Sequence, residues 1–171
     1  MATTLPETRT FASVNVGDEI APFELPLTRT LIVSTAIATR DYQVVHHDPT
    51  IAAERGSKDI IMNILTSNAF AGRYITDWSG PNAFISSVKV RLGAPNYPGD
   101  TMTISGTVTA KDDATRTVTI AVKGSNSLVD HMNVTVEVVL PESEAAVKEN
   151  MPKVIDAFQI YVRSLTADSF G

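Results

Sequence analysis

The second half of the chain alternates. Phe84, Val88, Val90 and Leu92 interleave with Ile85, Ser87, Lys89 and Arg91. Met102, Ile104 and Val108 interleave with Thr101, Thr103, Thr107 and Thr109. Val118, Ile120 and Val122 do the same with Thr117, Thr119 and Ala121, and residues 132 to 140 continue the pattern from Met132 through Val134, Val136 and Val138 to Leu140. A period of two predicts four half-buried strands. Lys111-Asp112-Asp113-Ala114 predicts a hairpin turn between two of them, and residues 124–130 another connection. Such a sheet has one apolar face, which needs a cover.

The first half supplies it. Residues 1–15 read as an irregular lead-in and 16–20 as a turn. Ala21 to Leu27 predicts a short strand, and Pro22 and Pro26 confine it to an edge or an irregular course. Leu31 to Thr39 predicts a helix, and Ile51 to Arg55 a helical turn closed by Gly56. The longest helix candidate runs from Ile61 to Trp78. Ile61, Leu65, Ala69, Gly72 and Ile75 line one side, and Ile64, Ala71, Tyr74 and Trp78 the adjoining one. So wide an apolar arc predicts a helix buried over much of its circumference. Ser79-Gly80-Pro81 stops it. An antiparallel sheet wrapped around one long central helix is the hot-dog arrangement, an α+β fold. The sheet pattern ends near Leu140, which bounds a domain at 1–140. In the extension 141–171, Val154, Ile155, Phe158, Tyr161, Val162 and Leu165 fall at helical spacing and predict an amphipathic helix.

Composition narrows the function. The 171 residues carry a formal charge of -5 and no basic run, which argues against nucleic acid. With no cysteine there is neither a disulfide framework nor a thiolate metal site. The N-terminus lacks a basic and apolar leader pattern, and no apolar run approaches the ~20 residues of a membrane span. The expectation is a cytoplasmic protein away from membranes.

Acid–base chemistry concentrates in Arg40-Asp41-Tyr42-Gln43-Val44-Val45-His46-His47-Asp48-Pro49. Five residues along one helix turn roughly 140° about its axis, so Asp41 and His46 cannot face one way on a straight helix. A helix that ends near Asp41 and turns back can bring both into one pocket, and Asp48-Pro49 favours the break. A carboxylate and an imidazole sharing one water can hold it and move its protons. Taken alone, the same spacing also describes a capping acid beside two surface histidines. Adjacent histidines rarely converge on one ion, so no metal site is expected at His46-His47-Asp48.

Two separated motifs carry a family resemblance. Asp41-Tyr42-Gln43-Val44-Val45-His46 resembles the D-x-N-P-x-H motif of the MaoC-like (R)-specific enoyl-CoA hydratases. Arg91-Leu92-Gly93-Ala94-Pro95-Asn96-Tyr97-Pro98-Gly99-Asp100 resembles the R-x3-P-V-Y-P-G-D of that family. The resemblance covers roughly residues 12 to 140. A narrower match runs through Ile32 to Asp41, His46-His47-Asp48, Gly56 to Ile60 and Tyr74 to Trp78. These stretches look like the small catalytic subunit of the heteromeric hydratase of bacterial steroid side-chain degradation. Gln43 and Val44 depart from the Asn and Pro of the motif, and Asn63 stands where many members have the Gly of H-G-M.

The resemblance implies addition of water to a 2-enoyl-CoA thioester, with Asp41 and His46 around the water. It implies an enolate oxygen held at the helix start near Asn63 and Ile64, where free N–H groups and the helix dipole favour negative charge. It offers Arg91 to the CoA phosphates and, less directly, His47 to the substrate. It requires no metal and no cofactor, CoA being part of the substrate. It implies a second MaoC-like hot-dog subunit, a different chain or a copy. The rival readings are an acyl-CoA thioesterase, which more usually carries its carboxylate on the central helix, and a non-catalytic hot-dog subunit, which has no need of the acid–histidine pair.

Overall fold

The computed structural model describes residues 7–143, 145 and 146. The amphipathic segment expected at 154–165 lies outside the described residues.

Five antiparallel strands form one sheet: β1 (Glu19–Pro26), β2 (Phe84–Leu92), β3 (Thr101–Asp112), β4 (Thr117–Ser125) and β5 (Asp130–Val139). Their spatial order is β1-β3-β4-β5-β2. Consecutive strands β3, β4 and β5 pair through short connections. The alternation in the sequence is the alternation of the sheet's faces. Met102, Ile104, Val108, Val118, Ile120, Val122, Met132, Val134, Val136 and Val138 are all buried inside. Thr109, Lys123, Asn133 and Thr135 point out.

Three helices lie in the long crossover between β1 and β2: α1 (Arg29–Ala38), α2 (Pro49–Glu54) and α3 (Ile64–Ser79). α3 fills the concave face. It buries Thr66, Ser67, Ala71, Tyr74, Ile75 and Ser79, and it packs on β2, β5 and α1. Tyr74 reaches across to the β1 edge of the sheet, where its one hydroxyl proton is shared between the carbonyl oxygens of Ile20 and Ala21, each at 3.0 Å. Gly106 leaves room for that ring, since a Cβ there would stand 3.1 Å from it.

Two expectations shift. The turn expected at 16–20 ends sooner, and β1 begins at Glu19, with a register break between Ile20 and Phe23 around Pro22. The central helix begins at Ile64 rather than Ile61. Ile61 and Met62 instead extend between neighbouring loops, their N–H groups bonding the carbonyls of Val45 and Asn96. The buried arc is also narrower than expected: Ile64 and Leu65 are about half exposed, at 50% and 46%. The inner face at the head of α3 is taken by Thr66 and Ser67.

Candidate active site

The C-terminus of α1 aims Asp41. Thr39 caps the helix and Arg40 follows with φ +56°, a left-handed conformation. The Asp41 N–H bonds the Ala36 carbonyl at 2.9 Å and the Arg40 N–H bonds that of Ile37 at 3.0 Å. This is the Schellman closure, which ends a helix and reverses the chain. A non-glycine residue pays roughly 1–2 kcal/mol for it. A single turn of 3-10 helix (Val44–His46) then returns the chain, so that the buried His46 faces Asp41.

His46 Nε2 lies 3.3 Å from Asp41 Oδ2. His46 Nδ1 lies 2.7 Å from the Ile61 carbonyl oxygen. A carbonyl only accepts, so Nδ1 carries the proton. Nε2, the nitrogen facing Asp41, is therefore the one free to take up and release a proton. Asn63 completes the cluster. Its Nδ2 donates to Thr39 Oγ1 at 2.9 Å and to Asp41 Oδ2 at 3.1 Å, and its Oδ1 accepts from the Thr66 N–H at 2.9 Å. One buried amide thus caps α3 and grips the acid. Burial alone raises the Asp41 carboxyl; the Asn63 amide, the Gln43 N–H and the facing imidazole overcome this and hold it below the usual carboxylate range.

Above this cluster stands the N-terminus of α3. Asn63 supplies the cap for Thr66, but the N–H groups of Asn63, Ile64 and Leu65 have no partner among the described residues. Such free donors at a helix start favour developing negative charge. Of the residues expected at the site, Asp41, His46, Asn63 and Ile64 converge here. His47 is exposed at the end of the 3-10 turn, and the neighbouring Asp48 is occupied as the cap of α2. Arg91 pairs with Asn133 on β5 and shares its outward face, across the sheet from α3. Two residues that spacing did not flag also belong to the setting: Thr39, which holds Asn63, and the buried His131, which reaches α3 through Ser67. The signal for His131 is a break in alternation, two successive inward residues at 131 and 132.

No helix among the described residues is long and apolar enough to cross a membrane.

A five-stranded antiparallel sheet packed on a central helix, with a carboxylate and an imidazole paired near the head of that helix, defines a hot-dog protein. Residues 13–129 match the model of the MaoC-like domain family. The chain is 49% identical over 128 residues to the beta subunit of 3-oxo-4,17-pregnadiene-20-carboxyl-CoA hydratase of Mycobacterium tuberculosis, a match that covers 75% of this chain and 98% of that one. It superposes on a chain of the ChsH1-ChsH2 complex from Mycobacterium tuberculosis with a TM-score of 0.72 and 49% identity, covering 74% of this chain and 98% of that one. The R-hydratase PhaJ1 of Pseudomonas aeruginosa shares the fold, with a TM-score of 0.72 at 22% identity, covering 78% and 86% of the two chains. The protein belongs to the MaoC-like domain family.

Proposed function

We propose that the protein is an enoyl-CoA hydratase acting on a steroid side-chain acyl-CoA, with a second hot-dog chain completing its site. The observation that carries the reading is the Asp41–His46 pair, 3.3 Å apart, beside the N–H groups at the start of α3, which have no partner among the described residues.

The chemistry has three parts. The thioester carbonyl oxygen rests on the N–H groups at Asn63 and Ile64. Asp41, kept ionised, and His46 Nε2 hold one water between them. The water O–H bond breaks as its hydroxide adds to C3, the pair takes up the proton, and the electron pair of the double bond moves toward the carbonyl. The resulting enolate oxygen is stabilised by the helix N–H groups. The proton then reaches C2 from the same face. One such N–H donor typically lowers a barrier by about 2.7–4 kcal/mol, and a positioned acid–base group gives ~10²–10⁴-fold.

The steroid acyl group is supported by the relative named for such a substrate. The partner is supported by that relative's being a beta subunit and by the matched complex of two proteins. The sheet edges agree. Both edge strands carry a register break, but β1 also carries Pro22 and Pro26, which blunt an edge, whereas β2 has no proline and exposes Phe84 and Leu92.

The test is hydration of a short linear enoyl-CoA and a steroid side-chain enoyl-CoA, by the chain alone and co-expressed with a larger hot-dog partner. Turnover confined to the mixture and favouring the steroid is the expected result. Asp41→Asn and His46→Ala should each lower it by ~10²-fold or more with the fold intact. A folded variant that keeps near-native turnover would sink the assignment. Thioester hydrolysis in place of hydration, or no activity in the intact complex, would point to the thioesterase or the non-catalytic reading.

A further inference from the structure

Strand β5 carries a buried histidine that the hydration chemistry does not use. On the β4–β5 ladder Gly124 pairs with Met132 and Ser125 with Asp130, so His131 is the extra residue of a bulge. Bulges gather near active sites, where they re-aim a side chain. Here the bulge turns His131 inward beside Met132 and leaves it 1% exposed. Its Nδ1 lies 2.6 Å from the Ala94 carbonyl oxygen and its Nε2 2.8 Å from Ser67 Oγ.

The protons follow from the partners. The Ala94 carbonyl can only accept, so Nδ1 donates to it. In the neutral ring Nε2 then accepts, and the Ser67 hydroxyl donates. Burial lowers the His131 pKa and so favours this neutral form. Ser67 lies on the first turn of α3. Its backbone N–H bonds the Asn63 carbonyl at 3.2 Å, and its hydroxyl stands 3.3 Å from the same oxygen. That turn carries the Asn63 grip on Asp41 and the free N–H groups together. Ala94 begins the 94–100 turn, and the turn's start is tied to the bulge by bonds from Gly93 N–H to the His131 carbonyl and from Ala94 N–H to that of Asp130.

We propose that His131 and Ser67 are a positioning pair that sets the first turn of α3, and through it the oxyanion donors and the Asn63–Asp41 contact. An apolar side chain would fill the same space. It would not fix the turn's rotation, because dispersion contacts are non-directional whereas two opposed hydrogen bonds are not. The pair touches no reacting atom and acts through Asn63 and the helix start. The kinetic part of the proposal rests on the hydratase reading; the structural part does not.

The test uses the full chain with its partner and variants that separate the two bonds. Asn at 131 places its amide nitrogen where Nδ1 sits, keeping the Ala94 bond and losing that to Ser67. Gln at 131 reaches the Nε2 position and keeps an acceptor for the Ser67 hydroxyl. Ser67→Ala and His131→Asn should lower kcat roughly tenfold, less than the ~10²–10³ of losing an oxyanion donor outright. KM should change less than twofold, and His131→Gln, which keeps the Ser67 bond but gives up that to Ala94, should recover part of the loss. The backbone amide NMR signals of Asn63, Ile64 and Leu65 should move in the first two variants and move less in the third. Ser67→Ala leaves the core volume nearly intact, so it keeps the test decisive if His131 variants fail to fold. Native kcat in folded Ser67→Ala, or unmoved first-turn amides, overturns the proposal. If the wild-type complex hydrates nothing, the hydratase reading falls, and the amide signals alone decide the positioning role.

Discussion

At the residue scale the site turns on how an acid is kept charged in a confined place. Asp41 is under two opposed influences: its surroundings strip water from it, while Asn63, the Gln43 N–H and His46 supply charge compensation. Removing the Asn63 amide leaves burial less opposed, so the Asp41 carboxyl should rise from its lowered position. In Asn63→Ala the acid limb of kcat/KM, which reports the free enzyme, should move to higher pH. Turnover at the plateau should also fall, since the same amide caps α3, and losing an N-cap typically costs about 1 kcal/mol of stability. A pH–rate profile compared with wild type checks this, and an unmoved acid limb would show that Asn63 does not govern the acid. Asp41 and His46 were legible in the sequence because their chemistry is local in the chain. The grip of Asn63 was not, because it spans 22 residues and depends on where α3 begins. An Asn in place of a Gly reads as a departure from a motif until the geometry gives its amide three partners.

At the element scale the pattern foretold the four later strands and the central helix, and it erred at the helix head. Hydropathy reads Thr66 and Ser67 as outward and Ile64 and Leu65 as inward, and the fold does the reverse. His131 holds the Ser67 hydroxyl and Asn63 the Thr66 backbone N–H, which offsets their burial, while the Thr66 hydroxyl is buried with no partner among the described residues. The bulge at His131 was likewise hidden, because one inserted residue breaks a period of two for only a single step. Two glycines show how differently the elements tolerate change. Gly93 joins β2 to the 94–100 turn, and a Cβ there would collide with the Asp130 carbonyl oxygen. Gly93→Ala should therefore destabilise the chain by about 1–3 kcal/mol, as overpacking does. Gly72 lies in mid-α3 with nothing within 4 Å of a Cβ. Gly72→Ala should stabilise by roughly 0.5–1 kcal/mol from helix propensity. Chemical denaturation of the two variants decides the matter. A Gly93→Ala variant as stable as wild type would mean that the turn gives way freely.

At the scale of the whole molecule, one residue ties the central helix to the distant edge of the sheet that encloses it. Tyr74 rises from α3, passes over Gly106 on β3 and hydrogen-bonds to β1, so its hydroxyl closes the sheet around the helix. Desolvation by burial pushes the Tyr74 phenol up from 10.0 to about 12. In the unfolded chain the phenol loses its proton near its ordinary value, while in the folded chain it keeps it. The unfolded state therefore binds fewer protons between pH 10 and 12, and stability must fall across that window. Two units correspond to at most about 3 kcal/mol, present in full below pH 10 and lost as the pH rises through about 12. Tyr74→Phe removes the titration. It also removes the hydrogen bond shared between two β1 carbonyls, so it should be less stable than wild type at neutral pH, by about 1 kcal/mol for a typical hydrogen bond. Its stability should be the flatter of the two between pH 10 and 12. Urea midpoints measured for both proteins at neutral pH and across that window give the two curves. Their convergence at high pH would assign the closure of the sheet to the neutral Tyr74 hydroxyl. Parallel curves would mean that the phenol ionises in the folded state as freely as in the unfolded one, with the edge of the sheet open to water.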